Sequence, residues 1–222
     1  MNARAERKWD RAAARFDLMT GLGPERRWSP IKRELFSHMG TGKILFVAIG
    51  SGLDVEHFPP GRDILGLDIS RKMLEKAAPR AAAYEAAGGK LELQKRDVEE
   101  LDVADGSFDQ AFTSCTFCSV TRPVEGLREL FRALKPGGDL YMFEHTGSRF
   151  FPFNLMLDAM TPLSRRMGPD LNRPTVENVR RAGFEIRQVR NYFLDVVKTI
   201  YATRPAEDVS QLSTGNASSL SR

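Results

Sequence analysis

Gly50-Ser51-Gly52 closes the apolar run Ile44-Leu45-Phe46-Val47-Ala48-Ile49, and Asp68 closes the next such run, Ile64-Leu65-Gly66-Leu67. A glycine turn after a buried strand lets a ligand approach the backbone, and a carboxylate ending the following strand can accept from ribose hydroxyls. The pair points to an adenosine-type cofactor. Asp97-Val98 follows a third strand-like run, Leu91 to Lys95; Ser114-Cys115 lie in the apolar run from Gln110 to Val120; and Glu144-His145 ends a fifth run that begins at Leu140. An imidazole at the mouth of such a site can take a proton near neutral pH, with Glu144 as the other candidate base. The plainer alternatives are a histidine bonded to a loop carbonyl, and capping or turn roles for Asp68 and Asp97.

Glycine spacing separates the cofactor classes. A dinucleotide site wants a third glycine three residues after Gly52, where a helix start meets a pyrophosphate; that position is Val55, preceded by Asp54. A carboxylate there disfavours NAD or FAD. It suits S-adenosylmethionine, which has no phosphate and carries a sulfonium and an ammonium. An inert βα turn is the bland reading of so short a motif.

These residues need a sheet to hold them at one edge. Strand-like runs alternate with helical stretches, which predicts an α/β fold: Rossmann-like, doubly wound, with a mainly parallel seven-stranded sheet and an antiparallel edge strand. Ser70 is placed to cap a helix through Ala78 that Pro79 should kink or divide before Gly88-Gly89. Leu127, Leu130, Phe131 and Leu134 give core spacing to a helix from about Val124, and Leu134-Lys135-Pro136-Gly137-Gly138-Asp139 reads as a turn into the fifth strand. Gly183 to Val189 and Tyr192 to Tyr201 read as a terminal strand pair.

At 222 residues and 41% hydrophobic, the chain fits a single domain over 1–204, with a helical cap over 1–40 and an insertion over 146–174; Ser, Thr, Asn and Gly make 205–222 read as a flexible tail. No apolar run reaches membrane-spanning length and no signal-peptide pattern opens the chain, so a cytoplasmic location is expected, with membrane-surface association as an addition. The net charge of +4 gathers near the start, where Trp9, Ala12, Ala13, Phe16 and Met19 recur at helical spacing. That basic amphipathic helix either covers the site or makes peripheral contact with anionic lipid. No nucleic-acid module appears, and a nucleic-acid partner is not expected. Cys115 and Cys118 are too few for a structural zinc site, so no metal is expected, and packing is the favoured reading of the pair. The insertion carries Phe150, Phe151, Phe153, Leu155, Met156, Leu157, Met160 and Leu163, which must dock on the domain or cover an apolar ligand.

From residue 9 to 203 this ordered series resembles the class I S-adenosylmethionine-dependent methyltransferases of the small-molecule type. The resemblance implies that Ala48, Gly50, Ser51 and Gly52 approach the methionine moiety. It further implies that Asp68 binds the ribose with Ile69 against the adenine, and that Asp97 and Val98 flank that ring, Asp97 accepting from its amino group. Ser114 and Cys115 would form a floor beneath the sulfonium, and Phe16 would close over the cofactor. The family's usual acid stands at the position of Phe46 and its first glycine at Ala48, a replacement that costs little if the backbone there is ordinary β; Asp54 is placed to supply the missing charge. Lys32 to Ser37, Phe58-Pro59-Pro60-Gly61, Cys118-Ser119-Val120 and Glu144-His145 are similar to the membrane-associated thiol S-methyltransferases. The implied function is methyl transfer to a small or lipid-like apolar acceptor, by thiol S-methylation or phospholipid N-methylation. The alternatives are C-methylation of a quinone precursor, an inactive S-adenosylmethionine-binding scaffold, and a nucleotide-linked dehydrogenase.

Overall fold

The computed structural model describes residues 2–21, 24–167 and 170–206. In chain order the elements are α1 (Ala3–Gly21), α2 (Pro24–Phe36), β1 (Lys43–Val47), a 3-10 turn (Leu53–His57), β2 (Asp63–Asp68), α3 (Arg71–Ala86), β3 (Lys90–Lys95) and β4 (Phe108–Ser114). There follow α4 (Pro123–Ala133), β5 (Leu134–His145), α5 (Phe153–Met167), α6 (Thr175–Arg181), β6 (Glu185–Tyr192) and β7 (Val197–Thr203).

The seven strands form one sheet in the order β3-β2-β1-β4-β5-β7-β6. β1 through β5 pair in parallel, and β7 runs antiparallel to both β5 and β6. The antiparallel strand therefore sits one place in from the rim, inserted between β5 and β6. Order reverses between β1 and β4, so the carboxyl ends of β1, β2 and β4 border the crevice where open α/β sheets hold ligands.

Strand alternation divides the core between the two faces. Leu45, Val47, Leu140 and Met142 pack with Leu127 and Leu130 of α4 and Val179 of α6. Ile44, Phe46, Phe112 and Phe143 pack with Leu35 and Phe36 of α2 and Tyr84 of α3. Phe46 lies against Phe36 and Phe58, with ring centroids 5.7 and 5.1 Å away. Its side chain belongs to this core.

Two sequence expectations are corrected here. α3 runs unbroken through Pro79, because Ala77, Ala81 and Tyr84 are buried on the sheet side while Pro79 faces solvent and forfeits one backbone bond. β5 already begins at Leu134, the Pro136-Gly137 stretch being carried within it as an irregularity opposite Phe108–Gln110. Ser70 does cap α3, its hydroxyl accepting from the Met73 amide at 3.1 Å. The stretch expected as a tail lies, from residue 207 onward, outside the described residues.

Candidate functional site

The Gly50-Ser51-Gly52 turn leaves β1 in left-handed backbone. Ala48, Gly50 and Gly52 have φ of 55, 57 and 80°. The condition under which alanine is cheap at position 48 is therefore not met, since Ala48 carries a conformation that favours glycine. At Gly52 a Cβ would lie 3.2 Å from Ala77, so glycine there also lets the turn lie against α3. The turn leads into a five-residue 3-10 segment, not into an α-helix whose start could receive a pyrophosphate.

Asp68 holds that turn. One carboxylate oxygen accepts from the Gly50 amide at 2.9 Å and the other from the Ser70 amide at 2.8 Å. Burial raises its pKa to about 6 against these two donors. The Ile69 amide is a third donor to this carboxylate, and only the acceptor capacity left over is open to hydroxyls. Ile69 beside it is half-buried.

α1 roofs this edge. Its apolar side turns inward: Ala13 is buried, Trp9 meets Phe16 edge-on, and Phe16 lies over Gly50, 3.8 Å from where a Cβ would stand. Polar ties fasten the helix: Glu6 to Lys95, Asp10 to the Ser70 hydroxyl at 2.6 Å, and Asp17 to Arg80 at 3.3 Å. At its start the Asn2 amide donates to Asp97 at 2.7 Å, and the other Asp97 oxygen accepts from Glu99 at 3.0 Å. Both Asp97 oxygens therefore already accept a backbone amide. Val98 packs onto α4 at Gly126.

Two acceptors under this roof have no hydrogen-bond partner: the buried Ser51 Oγ and Asp17 Oδ1. The Arg80 guanidinium links their residues, donating to the Ser51 carbonyl at 2.8 Å and to the other Asp17 oxygen. Buried acceptors in that state call for a donor. Asp17 was missed from sequence; its only signal is adjacency to Phe16. Asp54, which was expected to supply the acid, instead accepts from Lys32 at 2.8 Å in a buried ion pair.

Across the crevice, Glu144 is fully buried. It accepts from the Thr113 hydroxyl at 2.9 Å and from the Thr116 and Phe117 amides at 3.2 and 3.1 Å. Burial raises its pKa to about 7. So enclosed a carboxyl cannot reach an acceptor; it shapes the loop after β4, which corrects its reading as a candidate base. That loop presents half-buried Ser114 and exposed Cys115, the latter at φ 51° with its amide donating to the Phe143 carbonyl at 2.7 Å. Cys115 and Cys118 are not joined in a disulfide, and the Cys118 Sγ donates to the Cys115 carbonyl at 3.3 Å. His145 is half-buried, its Nδ1 is enclosed without a hydrogen-bond partner, and burial, aided by the charge of Lys198, lowers its pKa. It is therefore neutral at pH 7.

A separate cleft of about 260 Å³, lined by residues including His38, Tyr141, Arg190 and Tyr201, lies on the outer strands and contains none of these residues. Among the described residues no cluster of metal-ligating side chains is present, and no helix is long and apolar enough to cross a membrane.

This strand order, with its strained turn and terminal aspartates, defines the class I methyltransferase fold. Residues 45–142 match the methyltransferase domain family, for which S-adenosylmethionine is the cofactor. The chain is 31% identical over 152 residues to the ubiquinone/menaquinone biosynthesis C-methyltransferase UbiE of Geotalea daltonii, covering 65% of this chain and 64% of that protein. It is 29% identical over 194 residues to the human thiol S-methyltransferase TMT1B, covering 78% and 76%. The match thus spans less than two thirds of the quinone-pathway relative. Among solved structures it resembles an S-adenosylmethionine-dependent methyltransferase of Mesorhizobium loti, with a TM-score of 0.58 at 21% identity, covering 80% of this chain and 97% of the other. It also resembles the [4+2]-cyclase SpnF, with a TM-score of 0.64 at 17% identity, covering 81% and 80%. The second likeness shows that the fold also serves other chemistry.

Proposed function

We propose that this chain is an active methyltransferase that binds S-adenosylmethionine beneath α1 and methylates an apolar acceptor. The observation carrying this reading is the pair of unpartnered acceptors, Ser51 Oγ and Asp17 Oδ1, beside a turn that Asp68 holds open. Asp17 would take the ammonium, Asp68 the ribose hydroxyls, and the left-handed turn would let backbone lie against the methionine chain. Asp97 would meet the adenine amino group with the Asn2 amide sharing or yielding its oxygen. The cofactor supplies an activated methyl group on a sulfonium. The protein's own share is alignment, exclusion of water by Phe16 and α1, and removal of a proton by neutral His145 where the acceptor needs it. Glu144 fixes the Ser114-Cys115 floor without touching the reactants.

Apolar acceptors suit the Phe- and Met-rich segment from Phe150 to Leu163. S-methylation of a thiol and C-methylation of a quinone precursor both have relatives behind them; N-methylation of a phospholipid shares only the apolar acceptor. Calorimetry with S-adenosylmethionine and with NAD, followed by an acceptor screen read as S-adenosylhomocysteine release, tests the reading. Preferential NAD binding overturns it; cofactor binding with no product on any acceptor leaves the scaffold reading. Asp17→Asn and Asp68→Asn should each weaken S-adenosylmethionine by about tenfold or more, the loss expected for one charge-assisted hydrogen bond.

A further inference from the structure

α5 exposes an apolar face. At 100° per residue, Leu155, Met156, Ala159, Met160, Pro162 and Leu163 share one sector of the helix and all are exposed, Leu163 at 63%. From Leu155 to Leu163 no charged residue falls among them, and by the same count Arg166 comes next in this sector. Asp158, at the border, accepts from Asn172 at 2.6 Å. The helix docks through the opposite side, where Leu157 and Thr161 are buried.

A second apolar element adjoins it. Phe193 and Leu194, both about half exposed, stand at the β6–β7 turn, where Phe193, Leu194 and Asp195 have φ of 40, 51 and 65°. Three successive non-glycine residues in left-handed backbone cost energy that a solvated turn has no reason to carry. The Ser148 hydroxyl joins the two elements, donating to the Leu194 carbonyl at 2.6 Å and accepting from the Phe150 amide at 3.0 Å. Phe150 and Phe151 are themselves exposed, Phe151 at 79%. Of the large exposed apolar side chains among the described residues, all but Leu18 belong to this one surface.

The charge at its border is basic. The Arg27 guanidinium lies 4.6 Å from the centre of the Phe193 ring, and Arg149 is exposed immediately before Phe150. The chain as a whole carries +4. Apolar side chains ringed by guanidinium groups match an anionic headgroup layer above acyl chains, whereas two like-charged copies would repel. By contrast α1 has its apolar side turned onto the site.

We infer that the outer face of α5 and the Phe193-Leu194 turn form one surface that docks on an anionic lipid bilayer. Sedimentation of the full chain with vesicles of phosphatidylcholine and phosphatidylglycerol tests this without cofactor or turnover, so it stands apart from the methyltransferase reading. The wild type should bind these vesicles and not pure phosphatidylcholine. The double variant Leu155→Glu, Leu163→Glu should lose binding by about a hundredfold, as expected when two leucines no longer leave water. Its melting midpoint should stay unchanged, since both side chains face solvent. Leu18→Glu, on α1, should leave binding intact. Binding retained by the double variant, equal binding to neutral vesicles, loss of binding in Leu18→Glu, or a wild-type dimer that ignores vesicles and that the double variant splits into monomers would each overturn the inference.

Discussion

Lys32 Nζ meets Asp54 Oδ1 at 2.8 Å, both side chains nearly enclosed, and the ammonium lies 5.4 Å from the centre of the Phe143 ring. The pair joins α2 to the 3-10 segment that follows the glycine turn. It thereby consumes the buried acidic side chain of that segment, the other, Glu56, being exposed, and on the proposed function charge recognition falls to Asp17 of α1.

Removing one partner of a buried ion pair leaves the other uncompensated. Lys32→Met should therefore destabilise the protein by about 3 kcal/mol in urea unfolding, and adding Asp54→Leu should restore much of that loss. Additive effects would show that the two side chains are not coupled.

Ala48 carries a side chain at φ 55°. Ala48→Gly should leave stability level or raise it by up to about 1 kcal/mol, relief of the left-handed conformation being partly offset by chain entropy. Ala48→Val, β-branched, should cost about 2 kcal/mol. Denaturant midpoints check both, and a glycine variant clearly weaker than wild type would contradict the backbone strain.

Glu144 binds its proton more tightly when folded, about 7 against an ordinary 4.5. Its contribution is therefore full below pH 4.5 and is lost as pH rises through 7, a trend that Asp68, raised to about 6, shares. Glu144→Gln should lower stability by about 1 to 3 kcal/mol, since an amide NH₂ must face a donor, and should flatten the decline between pH 4.5 and 7. Melting curves across that range decide; a variant curve parallel to wild type would exclude Glu144 as the source.

His145 is held neutral by burial and by Lys198. With an acceptor that does not itself titrate, the acid limb of kcat/KM should fall below the ordinary imidazole value of 6.5. His145→Gln should erase that limb and lower kcat by about a hundredfold with the S-adenosylmethionine Kd unchanged. An unaltered limb removes the base assignment.

The parallel sheet was readable because buried parallel strands are continuous apolar runs: Ile44 to Val47 and Ile64 to Leu67 could be little else. Asp68 and Asp97 were singled out by their place after such runs. What sequence could not reveal depends on distant partners. Asp54 looked available until Lys32, 22 positions earlier, was seen beside it. Glu144 and His145 are neighbours in sequence, yet strand alternation sends one into the loop beyond β4 and leaves the other half-buried at the end of β5. Asp17 gave no motif at all, because its place in the candidate site follows from how α1 lies over Arg80.

The roof formed by α1 is fastened by Asn2 to Asp97, Glu6 to Lys95, Asp10 to Ser70 and Asp17 to Arg80. Three of these four ties involve exposed or half-exposed charged groups, so dissolved ions compete with the fastening much more than with the core beneath it. On the proposed function, a cofactor lodged under Phe16 leaves only as that clasp loosens, so its dwell time should shorten as electrolyte concentration rises.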